Sequence, residues 1–180
     1  MEFIDDLNKL EEYLNKYFVN TQYIGIDSEW QQSFNVYDKS EVSIIQICNY
    51  EESCAIIIDM LEFREKETFY EIFEKYFKGK IFVGFYFDKS DLDVFPPRLR
   101  NFFEDKNNCT IYDIYALAKQ KFVEKGLPLK ELTEKMYGKS LCKYEQCSNW
   151  NLRPLSQCQI HYGALDALIC IMLLKTLMEK

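Results

Sequence analysis

An α/β architecture, with helices flanking a mixed central sheet of about five strands, is what these 180 residues predict. Strand-like runs alternate with stretches of helical periodicity. Two β-branched runs, 42–48 and 53–59, meet across the turn residues 49–52, which reads as an early hairpin. A sheet containing both a hairpin and crossover helices is mixed. The length suits one domain, expected to fill residues 1–180.

Element by element, Ile4, Leu7, Leu10, Leu14 and Phe18 fall at helical spacing, so an amphipathic helix should come first. Asn20-Thr21 breaks it, and residues 23–30 read as a strand. Residues 31–41 are polar and should be a loop. The hairpin follows, then a helix over 68–77 and a short buried strand over 81–85. A further helix begins over 90–95 and is expected to end or kink at Pro96-Pro97. Residues 110–113 form the fifth strand, and a helix runs from there through Phe122. Gly126-Leu127-Pro128 signals the start of a helix to Tyr137. Ser156 is a suitable N-cap for a long last helix reaching about Met178.

Composition narrows the class. Apolar residues at 48% and charged residues at 28% exclude a disordered chain. With 14 Phe, 13 Tyr and 2 Trp, much of the core must be ring against ring. No unbroken apolar run approaches 18 residues, so no segment is expected to span a membrane. Cysteines number seven, an odd count, and Glu2, Asp5 and Asp6 stand where a secretory leader would be basic. Reduced thiols and an intracellular protein are expected, cytoplasmic ahead of nuclear, since the lysines form no import cluster. The net charge of −7 argues, taken alone, against a nucleic-acid partner.

The acids carry the chemistry. Asp27 and Glu29 sit two apart on the first predicted strand, so both side chains share one face, with Ile24, Ile26 and Ser28 on the other. Adjacent carboxylates repel unless a cation lies between them, and a hard divalent ion suits oxygen ligands. On the last helix Tyr162 and Asp166 stack at (i, i+4), with Gly163 and Ala164 small enough to let that helix lie close to the sheet. Asp91 opens the helix after the strand at 81–85, where an acid also complements the helix dipole.

The order of these acids, with Ile24-Gly25-Ile26-Asp27-Ser28-Glu29-Trp30, Val42-Ser43-Ile44-Ile45-Gln46-Ile47, Ser148-Asn149-Trp150, Arg153-Pro154-Leu155 and Gln159-Ile160-His161-Tyr162-Gly163-Ala164-Leu165-Asp166-Ala167, resembles the DEDD 3′-5′ exonucleases of the RNase D and Werner type, in the subgroup with a tyrosine in its last motif. The stretches from Gly126-Leu127-Pro128 to Asn149-Trp150 are most similar to the Nibbler branch, whose members trim the 3′ ends of small RNAs. The resemblance covers nearly the whole chain and implies an RNase H-like exonuclease fold. The interval from Gly84 to Asp91 is about one residue longer than the family's, which leaves Asp88 beside Asp91 as a second-motif ligand. Asp91 is preferred because it opens the helix and Leu92 follows it. The usual Tyr-Ala-Ala is Tyr-Gly-Ala, a change toward looser helix packing.

By this resemblance the chain is a hydrolase acting at the 3′ end of single-stranded nucleic acid, RNA ahead of DNA, with two Mg²⁺ or Mn²⁺ ions at the scissile phosphate. Asp27 would bridge both ions, Glu29 and Asp166 complete the site for one, and Asp91 hold the other. Tyr162, a poor base at neutral pH, would position the attacking water. Residues 118–143 carry seven Lys against three Glu and could line the strand's path, with Lys130 and Lys139 as candidates and Arg153 beyond them. Trp30, Phe34, Phe85 and Tyr86 could stack terminal bases. Two divalent ions would bring −7 to about −3, so the acidity does not exclude nucleic acid. It does imply a modest grip, with targeting from a protein partner or another domain. The alternatives are a Werner-type DNA exonuclease and a catalytically weak binding or scaffold domain. Cys142, Cys147, Cys158 and His161 have the spacing of a small zinc module.

Overall fold

The computed structural model describes residues 1–31, 39–87, 91–122 and 126–179. Its six-stranded sheet runs β1 (Glu2–Ile4), β4 (Cys54–Asp59), β3 (Val42–Asn49), β2 (Tyr23–Trp30), β5 (Ile81–Gly84), β6 (Thr110–Asp113). β2, β3 and β4 pair antiparallel, while β1 joins β4, β5 joins β2 and β6 joins β5, all in parallel. The sheet is mixed as expected, with one more strand. The extra one is β1, three residues that the helical spacing of Ile4 and Leu7 assigns to the first helix. Ile4 pairs with Ile58 instead. The helix, α1 (Leu7–Tyr17), begins where Asp6 caps it, its carboxylate accepting from the Lys9 amide at 2.9 Å.

One face of the sheet carries Ile24, Ile26, Ile45, Ile47, Ile56 and Ile58. It is covered by α1, α3 (Glu67–Phe77) and α4 (Pro97–Glu104). Phe73 lies at the middle of this layer and meets the rings of Phe69, Phe77, Phe82, Phe102 and Phe103 at centroid distances of 4.5–6.4 Å. α2 (Met60–Phe63) is one short turn after β4.

Pro96-Pro97 starts α4 rather than ending a helix. Proline fixes its predecessor in the extended region, so Phe95 has φ −76° and ψ 146°, and among the described residues from Asp91 on a 3₁₀ turn, Leu92–Val94, stands before it. Pro97 then takes the first helical position, where a missing N–H is no loss, and the Pro96 carbonyl accepts from Arg100 at 3.0 Å.

The opposite face belongs to the last helix. α5 (Ile114–Phe122) and α6 (Leu129–Tyr137) pack against α7 (Gln157–Glu179). Ser156 and Gln159 form a capping box at its start: the Gln159 amide donates to the Ser156 hydroxyl at 3.1 Å and the Ser156 amide to Gln159 Oε1 at 2.9 Å. At 23 residues α7 is long and apolar enough, by length and composition, to cross a membrane. Counting unbroken runs misses it because Gln159, His161 and Asp166 interrupt the sequence. In this fold most of its apolar positions face the sheet, α5 and α6. It lies very close to β2, since a Cβ on Gly25 would stand 2.2 Å from the Ala167 carbonyl oxygen.

Candidate active site

β5 stops at Gly84, and its last pair with β2 is Val83 with Gly25. Among the described residues, the second half of β2 therefore runs on with no strand on that side, and its carboxylates face a cleft of about 640 Å³. Asp27 and Glu29 lie on the same face as Gly25, towards α7, as period two requires. α7 brings Asp166 over them and Tyr162 one turn earlier. Carboxylate oxygens of Asp27, Glu29 and Asp166 lie within 4.8 Å of one another. Asp91, 3% exposed, lines the same cleft and accepts from the Ser28 hydroxyl at 2.5 Å. Asp88 and Phe34 lie outside the described residues.

Burial, then the neighbouring charges of Asp91, Asp166 and Glu29, raises the Asp27 carboxyl well above its usual range. Glu29 is pushed up to about 9, first by burial and then by Asp166. The Tyr162 phenol also moves up, through burial and the charges of Asp166 and Glu29, and is a neutral hydroxyl. Such a set of hard oxygen donors, crowded and repelling, fits a divalent cation.

Lys143 reaches into this cluster from the loop before α7. Its Nζ donates to Asp166 Oδ2 at 3.1 Å and to the Tyr162 hydroxyl at 3.2 Å, and stands 5.2 Å from the Tyr162 ring centroid. In the sequence it is legible only as one of seven lysines in a charged segment, with no periodic pattern to single it out. Ser28, assigned to the opposite face of β2, reaches Asp91 near the strand's end, where the pairing register shifts between Glu29 and Trp30.

Of the expected strand-binding residues, Trp30, Phe85, Tyr86 and Lys130 line the cleft. Tyr86 is exposed at the rim, with the Tyr115 ring 5.2 Å away. Lys139 is exposed but outside the lining. Arg153 is outside the cleft lining; its guanidinium is held by Asp59, with Nε 2.8 Å from Oδ2, and by the carbonyls of Trp150, Leu152 and Ser43. A side chain so held fastens the loop before α7 to the sheet. Cys142, Cys147, Cys158 and His161 do not converge. Among the described residues, Asp27, Glu29 and Asp166 form the only group of three or more such ligands within mutual reach.

The mixed sheet, with its acids gathered under a long last helix, defines an RNase H-like exonuclease fold. A family model described as 3′-5′ exonuclease matches residues 1–180, and the chain belongs to that family of hydrolytic exonucleases. It is 30% identical over 176 residues to exonuclease mut-7 of Caenorhabditis elegans, an alignment covering 87% of this chain and 19% of that protein. It spans only about a fifth of the length of the curated relatives it matches, 19% and 23% for the first two. Among solved structures, the Aedes aegypti Nibbler EXO domain superimposes with a TM-score of 0.83 at 23% identity, covering 99% of this chain and 87% of that one. Escherichia coli RNase D, an exoribonuclease involved in structured RNA processing, superimposes with a TM-score of 0.78 at 20% identity, over 98% and 44% of the two chains.

Proposed function

We propose that this chain removes nucleotides from the 3′ end of single-stranded RNA, using two divalent cations, Mg²⁺ or Mn²⁺, held by Asp27, Glu29, Asp91 and Asp166. The observation that carries this reading is the meeting of Asp27, Glu29 and Asp166 oxygens within 4.8 Å, in a cleft that Asp91 and Tyr162 also line. When bound, the cations supply charge that activates water and steadies the leaving oxygen. The chain's own residues do the rest. Tyr162, a neutral phenol, offers a hydroxyl that orients the attacking water rather than a base that takes its proton. Lys143 fixes that hydroxyl and Asp166 together, so one ammonium sets the geometry of both. Ser28 holds Asp91 by donating to its carboxylate. Trp30, Phe85 and Tyr86 offer ring faces to the terminal bases, and such stacking is tolerant of sequence. RNA is preferred over DNA because, among the similar structures, Escherichia coli RNase D is described as an exoribonuclease and Trypanosoma brucei RNase D is in complex with RNA U12. Targeting by a protein partner or a further domain, and a cytoplasmic location, belong to the same proposal.

A single strand labelled at its 3′ end tests the reading. With Mn²⁺ the label should leave first, as mononucleotide, and a chelator should stop the reaction. Parallel RNA, DNA and 2′-O-methylated RNA substrates test the sugar, with unmodified RNA expected fastest. Internal fragments appearing before the terminal label is lost would overturn the exonuclease assignment.

A further inference from the structure

Gln46 is fully enclosed on β3, 0% exposed, and neither its Oε1 nor its Nε2 has a hydrogen-bond partner among the described residues. The pairing register places it between Asp27 of β2 and Ile57 of β4. Ile44 and Cys48 flank it on the same face of its own strand. Across the sheet–helix interface it fills the space left by Gly163, where a Cβ would come within 2.8 Å of Nε2 and 2.9 Å of Cγ. Of these neighbours, only Asp27 carries a polar side chain able to accept from an amide. A β-branched residue would suit a strand interior between Ile44 and Cys48, and an enclosed amide with no partner destabilises the fold. Directly opposite residues on antiparallel strands stand close enough for their side chains to interact.

We propose that Gln46 is a positioning residue for Asp27: its Nε2, without a partner among the described residues, is the donor that would take up the Asp27 carboxylate and hold it in its ligating orientation when a cation is bound. This rests on the reading of Asp27 as a cation ligand. Ligating carboxylates are commonly oriented by such outer hydrogen bonds, whose removal lowers metal affinity roughly 10–100-fold.

Mn²⁺ binding to the whole chain, followed by the loss of the free-ion electron paramagnetic resonance signal, separates this proposal from the reading beneath it. Asp27→Asn should abolish tight Mn²⁺ binding; native affinity in that variant would sink the ligand assignment itself. Gln46→Met keeps length and volume and removes the unmatched amide. It should melt no lower than the native protein yet bind Mn²⁺ at least about tenfold more weakly. Gln46→Asn, which keeps the amide but shortens its reach, serves where the methionine variant does not fold and should weaken binding likewise. Mn²⁺ affinity within threefold of native in either folded variant, with Asp27→Asn defective, would overturn the positioning role alone.

Discussion

The two faces of one sheet are built on opposite principles. Under α1, α3 and α4 the layer is nearly all hydrocarbon: isoleucines from three central strands meet a chain of phenylalanines, and Phe73 touches five other rings. Under α7 the same strands present Asp27, Glu29 and Gln46, with Asp166 facing them. There, carboxyl groups are raised by burial and mutual repulsion, and a buried amide is unmatched. Each would be a defect in the first layer. The comparison teaches that a hydrocarbon layer on one side of the sheet, with the apolar clusters around Ile171 and Trp150 on the other, holds strained chemistry in place.

Substitutions on the two faces should therefore fail in different ways. Asp27→Asn should lower the single-turnover rate on the order of 10³–10⁴-fold, about 4–5 kcal/mol of barrier, while melting no lower than native. A near-native rate would remove the cation mechanism. Phe73→Ala should do the reverse, costing about 3–5 kcal/mol of stability in denaturant titrations while the folded fraction keeps its rate. Tyr162→Phe should slow the reaction roughly 10–100-fold, about 1.4–2.7 kcal/mol. Lys143→Met should act through the same hydroxyl, so the double variant should be little slower than the slower single one; additive losses would show that the two act apart. Smallest of all, Lys139→Ala should leave KM for an RNA strand within about twofold, since an exposed lysine outside the cleft contributes little. Lys130→Ala should raise KM more than Lys139→Ala does; equal effects would mean that the strand takes a different path.

Much of the molecule is legible in its sequence because it is periodic. Two-residue spacing places Asp27 and Glu29 on one face, and four-residue spacing puts Tyr162 and Asp166 on one helix side. Neither spacing can join the pairs. Their order along the chain does so, through its likeness to a family. The features that escape a sequence reading have no period. Lys143 sits in an irregular loop, and its role depends on which way that loop turns. Gln46 is visible as the one amide inside an apolar strand, but its isolation is visible only once Gly163 lies over it. β1 is three residues long, too short for alternation to declare itself. Pro96-Pro97 reads as a stop, although proline breaks a helix on its N-terminal side and opens one on its C-terminal side.

The near-contact of Gly25 with the Ala167 carbonyl has a consequence for synthesis. The first pair of acids emerges from the ribosome well before the helix that completes the set. A nascent chain halted before residue 157 has Asp27 and Glu29 but neither Tyr162 nor Asp166. Its sheet can begin to assemble while the cutting centre is still incomplete. The acids of β2 and the acid of α7 can come together only once α7 has emerged and docked on β2.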